Sequence, residues 1–209
     1  MSGRGYERAK RVFDIGLATC VTAVASPVLA GIALAIKLES RGPVLFRQER
    51  IGRHGRPFEI VKFRTLVGGP ANDPADFLLS ASDQRITRVG AFLRRWSLDE
   101  LPQLWNVIRG DMSIVGPRPT LRYQVEQYDD FQRRRLEVSP GVTGWAQIAG
   151  RNALSWPERI KLDVWYVEHR SFLLDLRIIG ATLPTLARPG SIYNDAQGDW
   201  GERGRTESP

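Results

Sequence analysis

The sequence has 209 residues, of which 42% are hydrophobic, and its 30 lysines and arginines exceed its 23 acids to give a net charge of +7. This composition suits a single folded domain over residues 1–209, excludes a disordered chain and favours anionic partners. Two histidines and one cysteine, Cys20, exclude a disulfide framework and argue against a zinc site. A metal here would be a hard cation such as Mg²⁺, held by oxygen ligands.

The first predicted element is an apolar helix over about residues 8–38. Residues 15–36 carry no charge, a length that can cross a bilayer. Ser26 and Pro27 lie at the middle of this run, where proline bends a helix. Both flanks are basic, which the positive-inside tendency does not allow for a helix that crosses. The pattern predicts a re-entrant helix hinged at Ser26-Pro27, with a buried soluble helix as the alternative.

Two short strands are predicted next, over residues 44–50 and 58–66, around a basic, glycine-rich turn. Alternation along the second strand places Lys62 and Arg64 on one face, about 7 Å apart. That spacing suits a diphosphate, although a solvated strand face fits equally well. Residues 68–83 are rich in Gly, Pro, Asp and Asn and are predicted to form a loop or lid. A short arginine-rich helix follows, in which Arg94 approaches the acids described next.

The stretch over residues 97–120 contains the candidate catalytic residues. Asp99 and Glu100 open a segment with helical spacing, and they either cap that helix or do chemistry. In the capping interpretation, Ser97 with Glu100 forms an S-x-x-E box. Gly110 is predicted to end the helix. Arg118 lies between two prolines that stiffen its backbone, so the acids and this arginine are predicted to face each other across a small site.

The C-terminal half is predicted to be mostly helical. Residues 122–138 indicate one charged surface helix, and residues 139–144 a turn-rich connector. Ser155 with Glu158 is a capping box, so a helix is expected from there to about Arg170. Residues 171–188 are apolar with few charges, which fits an amphipathic helix in a membrane interface or a core helix. Residues 196–209 are predicted to be a flexible tail.

The residues alone favour a fold of the α+β class that is mostly helical, with a re-entrant membrane helix, a small β-hairpin and amphipathic interfacial helices. A diphosphate substrate would need a cation beside Asp99 and Glu100, and a carboxylate can itself attack phosphorus. No P-loop, dinucleotide fingerprint or Ser-His-Asp set is present. A non-catalytic membrane-bound scaffold is the alternative. Nucleic-acid binding is excluded because it leaves the apolar run unexplained.

Three motifs resemble the bacterial sugar transferases, the monotopic phosphoglycosyl transferases that act on polyprenyl phosphate. They are the run Lys62-Phe63-Arg64, the segment RITRVGAFLRRWSLDELPQLWNVIRGDMSIVGPRP and the segment PGVTGWAQIAGRN. The resemblance covers about residues 8–195. One departure is Thr65-Leu66, where Ser-Met is usual.

The resemblance implies a two-step reaction. Asp99 would attack the β-phosphate of a UDP-sugar, release UMP and carry the phosphosugar, which undecaprenyl phosphate then accepts. It also implies that Asp99 is a Mg²⁺ ligand, that Glu100 assists proton transfer or orientation, and that Arg118 and Arg94 bind phosphate. Ser26-Pro27 matches the break in the family's re-entrant helix.

The same resemblance implies a place in one leaflet of the bacterial inner membrane, with residues 39–195 at its cytoplasmic face. The product would initiate a surface glycan such as an exopolysaccharide, capsule, O-antigen or glycoprotein. The chain is expected to be the minimal catalytic unit, with a homodimer as one possible assembly. The sequence does not name the sugar, because related sugars differ by a few hydroxyl contacts that no motif reports.

Overall fold

The computed structural model describes residues 3–68, 84–150 and 154–187, and its fold is mostly helical with two small sheets. The predicted lid falls largely on residues 69–83 and the predicted tail on residues 196–209, so both lie outside the described residues. The longer elements are α1 (Gly3–Glu39), β1 (Leu45–Ile51), β2 (Pro57–Phe63), α2 (Arg88–Arg95), α7 (Trp156–His169) and α8 (Phe172–Ala187). The shorter ones are α3 (Gln103–Arg109), β3 (Ser113–Val115), α4 (Arg122–Glu126), α5 (Asp130–Arg133), β4 (Gly141–Thr143) and α6 (Trp145–Ala149).

Helix α1 runs without interruption for 37 residues and contains Pro27. Proline has no amide hydrogen to give the carbonyl of Ala23, and the Ser26 hydroxyl donates to that carbonyl instead, at 2.8 Å. The chain is therefore helical on both sides of Pro27, and the re-entrant course hinged at Ser26-Pro27 stays a prediction. Among the described helices, α1 is long and apolar enough to cross a membrane, and almost none of its apolar stretch is buried.

The N-terminal part of α1 is fixed to the protein by a buried carboxylate of α8. Asp175 accepts hydrogen bonds from the Tyr6 hydroxyl at 2.8 Å, the Lys10 ammonium at 3.0 Å and the Tyr166 hydroxyl at 2.6 Å. These donors satisfy the acceptor oxygens of a carboxylate that is almost completely buried. The contact joins the first and last described helices of the chain.

The predicted β-hairpin is confirmed: β1 pairs antiparallel with β2, from Leu45 opposite Phe63 to Ile51 opposite Pro57. The second strand ends at Phe63, three residues earlier than predicted, and Phe63 packs with Ile36 of α1 and Leu93 of α2. The hairpin thereby connects the C-terminal part of α1 to the helix that precedes the candidate acids.

Two predictions for the C-terminal half are wrong. Residues 122–138 form α4, α5 and the 3₁₀ turn Arg134–Glu137 rather than one helix, because Asp129 starts a new helix by accepting from the Gln132 amide at 2.8 Å. The expected connector over residues 139–144 contains strand β4, which pairs parallel with β3. Both segments support the loop that holds Arg118.

Helices α7 and α8 agree closely with the sequence prediction. Glu158 accepts from the Ser155 amide at 2.9 Å, as the capping box predicts. In α8, Leu174 and Ile178 are buried in the main core, whereas Leu173 and Leu183 are exposed. One face of α8 therefore packs against the core, and the other presents apolar side chains to the outside.

Candidate active site

Asp99 and Glu100 lie on the 3₁₀ turn Leu98–Glu100, between α2 and α3. Ser97 enters the turn in the left-handed region, at φ 55°, and its side chain makes no capping hydrogen bond. Pro102 occupies the N-cap position of α3. The capping interpretation of Ser97, Asp99 and Glu100 is therefore wrong. Gly110 does end the helix, at φ 100°, as the sequence predicts.

The Glu100 carboxylate is held between two cations. Lys62 donates to it at 2.9 Å, and the Arg118 guanidinium donates to both oxygens, at 2.6 and 3.3 Å. Burial opposes the charged form, but the attraction of Arg118 and Lys62 outweighs burial and holds the pKa of Glu100 well below its usual range. Glu100 is consequently a fixed anion that orients Lys62 and Arg118.

The Asp99 carboxylate is in the opposite situation. Within the described part of the chain, no hydrogen bond or ion pair to it is found. Burial raises the pKa of Asp99 and the Glu100 charge raises it further, whereas Lys62, Arg94 and Arg118 lower it. An unpaired, destabilised carboxylate beside fixed cations is suited to act as a nucleophile or to bind a cation.

Lys62 is positioned through a buried asparagine of α3. The side chain of Asn106 accepts from the Val61 amide at 3.1 Å and donates to the Glu59 carbonyl at 2.7 Å, so it takes the place of a strand along β2. Because these bonds fix the strand against α3, the Lys62 ammonium reaches Glu100 on the turn that precedes the same helix.

The loop that contains Arg118 is held by the parallel pair of β3 and β4. The Gly116 amide donates to the Thr143 carbonyl at 2.9 Å, and the Gly141 amide donates to the Pro117 carbonyl at 2.9 Å. A Cβ on Gly141 would lie 2.1 Å from the Gly116 nitrogen, so this approach requires glycine. The two glycines bring the loop of Arg118 against the segment over residues 139–144.

A buried arginine, Arg135, also holds the loop that contains Arg118. One terminal nitrogen of Arg135 donates to the Arg118 carbonyl at 2.9 Å and pairs with the Asp163 carboxylate, and the other donates to the Tyr128 hydroxyl at 2.6 Å. The Arg135 guanidinium also lies 5.5 Å from the ring of Trp156. The network connects α7 to the backbone of Arg118.

The structure brings together Asp99, Glu100, Lys62 and Arg118, and it places Arg94 near enough to act on the charge of Asp99. Arg64 lies elsewhere. Its guanidinium donates to the Ser40 carbonyl and to the Arg41 carbonyl, both at 2.9 Å, at the end of α1. Because β2 ends at Phe63, the strand alternation that put Arg64 beside Lys62 does not extend to it. Ser26 and Pro27 are exposed in α1.

Sequence reasoning missed three residues of this site. Asn106 and Arg135 are completely or almost completely buried, and Arg50 lies near Glu100 and Arg118. The one available signal for Asn106 was a polar residue on the apolar face of α3, because asparagine is disfavoured in helix interiors. Arg135 gave none because it lies among other arginines in a charged segment.

The described residues include no group of three or more metal-ligating side chains. Asp99 is nevertheless a suitable single ligand, because Glu100 is already engaged by Lys62 and Arg118. Mg²⁺ is commonly bound by one or two carboxylates together with phosphate oxygens of the substrate. The site thus fits a cation that arrives with a diphosphate.

Residues 5–189 match the family model described as bacterial sugar transferase. The sugar transferase EpsL of Bacillus subtilis is 45% identical over 174 residues, which are 83% of this chain and 85% of that protein. The UDP-glucose:undecaprenyl-phosphate glucose-1-phosphate transferase of Escherichia coli K12 is 44% identical over 182 residues, and this chain spans only 39% of its length. The enzyme of the same name from Caulobacter vibrioides is 43% identical over 199 residues, which are 88% of this chain and 72% of that protein. The chain belongs to the bacterial sugar transferase family.

Proposed function

We propose that the protein transfers a sugar-1-phosphate from a UDP-sugar to undecaprenyl phosphate and releases UMP. The observation that carries the proposal is the contrast between an unpaired Asp99 and a doubly paired Glu100 on one turn. Two relatives have names that state this kind of transfer for UDP-glucose. A non-catalytic scaffold would have no use for an unpaired carboxylate that costs stability.

In the first step, an oxygen of Asp99 attacks the β-phosphorus of the donor, and the bond to the α-phosphate oxygen breaks with its electron pair. Arg118 and Lys62, which Glu100 holds in place, stabilise the negative charge on the phosphoryl oxygens. A bound Mg²⁺, with Asp99 as its protein ligand, would neutralise diphosphate charge. In the second step, an oxygen of undecaprenyl phosphate attacks the same phosphorus and restores the Asp99 carboxylate.

The reaction also requires the protein at a membrane, and we propose that α1 enters one leaflet and returns to the cytoplasmic face. Arg53, in the turn of the hairpin, contacts Glu7 at 3.1 Å, and Arg64, at the hairpin's open end, contacts Ser40. A straight helix would separate Glu7 from Ser40 by about 50 Å, while a seven-residue strand spans about 23 Å. A helix bent near Pro27 fits both contacts. Cysteine labelling that placed residues 8 and 41 on opposite sides of the membrane would contradict this topology.

The test of the activity is the identity of the released nucleotide. Protein in nanodiscs would receive undecaprenyl phosphate, Mg²⁺ and a panel of UDP-sugars, with Asp99→Asn as the variant and the exposed Asp130→Asn as its control. We expect UMP from the wild type and from Asp130→Asn, and none from Asp99→Asn. Release of UDP, or of no nucleotide with any donor, would contradict the proposal.

The covalent intermediate is tested without the lipid acceptor. We expect the wild type to gain the mass of one sugar phosphate on the peptide that contains Asp99, and to lose it when undecaprenyl phosphate is added. An adduct on a different residue would show that the nucleophile is assigned wrongly, even if UMP is released. The sugar that gives the adduct identifies the donor, and the product would be the first lipid-linked intermediate of a surface glycan.

A further inference from the structure

Arg50 is a cation of the candidate site that forms no direct ion pair with a carboxylate of the described residues. One of its terminal nitrogens donates to the neutral amide oxygen of Gln48, and its Nε is buried without a hydrogen-bond partner. Among the ion pairs formed by the described residues, none includes Arg50. A buried charged donor without a partner is costly, so a ligand that accepts from it is expected.

Strand β1 places Arg50 beside the loop of Arg118. The next residue, Ile51, donates its amide to the Thr120 carbonyl at 2.9 Å, which ties the end of β1 to the segment just after Arg118. Arg50 also lies on the same face of the hairpin as Lys62, because its cross-strand partner Phe58 is four residues from Lys62 on β2. Arg50, Lys62 and Arg118 therefore lie close enough to act on one another's charge.

The three cations have unequal partners. The Glu100 carboxylate makes its direct contacts with Lys62 and Arg118, and it attracts Arg50 only at longer range. Burial, followed by repulsion from Arg118, lowers the pKa of Arg50 to about 10. A phosphate dianion in contact with Arg50 would relieve both effects, and arginine is well suited to binding phosphate through two parallel hydrogen bonds.

We propose that Arg50 binds a phosphate monoester, first the nucleotide phosphate that leaves the donor and then the lipid phosphate that replaces it. This inference rests on the proposed function. In the first displacement, the oxygen of Asp99 bonds to phosphorus as the bond to the nucleotide phosphate breaks. In the second, a lipid phosphate oxygen bonds to that phosphorus as the bond to Asp99 breaks.

Both displacements are in line, so the leaving and entering groups lie opposite the Asp99 oxygen. The lipid phosphate must therefore occupy the position that the nucleotide phosphate has vacated. A single cation at that position assists both steps, and the charge of Arg50 is available to each ligand in turn.

The experiment measures the two half-reactions separately in wild type, in Arg50→Gln and in Arg47→Gln. Arg47 is the matched control, since it lies on the same strand with 61% of its side chain exposed and pairs with Glu59. The first half-reaction is UMP release from UDP-sugar without lipid. The second is discharge of the isolated phosphosugar-protein by undecaprenyl phosphate.

We expect Arg50→Gln to slow both half-reactions by about 10- to 100-fold and Arg47→Gln to change neither. An effect on UMP release alone would show that Arg50 serves the nucleotide only, and an effect on discharge alone that it serves the lipid phosphate only. Either result, or no effect, would overturn the proposal of a shared position. If Arg50→Gln does not fold, Arg50→Lys is measured instead, and equal rates to wild type would count against the two-bond contact.

A binding measurement separates this inference from the proposed function. UMP and inorganic phosphate are expected to raise the melting temperature of the wild type and of Arg47→Gln, and not that of Arg50→Gln. If the wild type releases no UMP from any donor but binds UMP through Arg50, the proposed reaction fails while the phosphate site stands. If the wild type is active and Arg50→Gln binds UMP equally well, only the inference about Arg50 fails.

Discussion

The buried ion pair between Arg135 and Asp163 is expected to dominate the response of this fold to a single substitution. Each side chain is only 2% exposed, so solvent does not screen the pair. Removing one partner, as in Arg135→Met, leaves an uncompensated buried charge and costs about 3–5 kcal/mol. The neighbouring Arg134 pairs with Glu168, which lies on α7 as Asp163 does, but both of these side chains are 41% exposed. Arg134→Met should therefore cost about 0–1 kcal/mol.

Differential scanning fluorimetry in nanodiscs compares the melting temperatures of Arg135→Met and Arg134→Met with that of the wild type. For a protein of this size, 1 kcal/mol changes the melting temperature by about 2–4 °C, so Arg135→Met should lower it by roughly 6–20 °C and Arg134→Met by at most about 4 °C. Equal shifts for the two variants would refute the argument, because it depends on the difference in burial.

A double substitution separates charge from packing. Replacing both partners, as in Arg135→Met with Asp163→Leu, should recover most of the lost stability, since no buried charge is left alone. Activity should nevertheless stay low, because the Arg118 carbonyl has lost its donor. Full turnover in a stable double variant would show that Arg135 does not position Arg118.

Three further outcomes are expected. Asp99→Asn should raise the melting temperature at pH 7, because folding raises the pKa of Asp99 and its ionised carboxylate therefore destabilises the fold above its ordinary pKa. A gain in melting temperature that did not shrink towards pH 4 would contradict this. Lys62→Met removes one of the two cations on Glu100, so UMP release should fall at least about tenfold, and unchanged release would contradict the role of Lys62. Gly141→Ala should destabilise the fold by about 1–3 kcal/mol in the same thermal assay through its clash with Gly116, and an unchanged melting temperature would show that the strands can separate.

Local patterns predicted the elements whose causes are local. The 22 uncharged residues, the hairpin, the glycine at position 110 and the capping box at Ser155 all correspond to helices, strands or ends in the structure. Each depends on residues within a few positions of one another, which is the range over which periodicity and capping act.

The features that were missed depend on partners distant in the sequence. Arg135 is buried because Asp163, 28 residues away, pairs with it. Asn106 is a strand substitute only because the Val61 amide, 45 residues away, meets it. The resemblance assigned different roles to Asp99 and Glu100, but the physical cause of the difference requires the positions of Lys62 and Arg118. No pattern within a single segment contains that information.

The carboxylate of Asp175 has a consequence for how the chain is made. It lies 169 residues after Tyr6, and at about 5–20 residues per second a ribosome needs roughly 8–34 s to synthesise the chain between them. During that interval helix α1 has emerged, and Arg53 and Ser113 can bind Glu7 and Asp14 of its N-terminal part before Asp175 exists. Helix α8 therefore docks last, onto a helix that earlier segments already hold. Translation that stops before Asp175 would leave a helix whose Tyr6 hydroxyl and Lys10 ammonium lack the carboxylate that both contact in the complete fold.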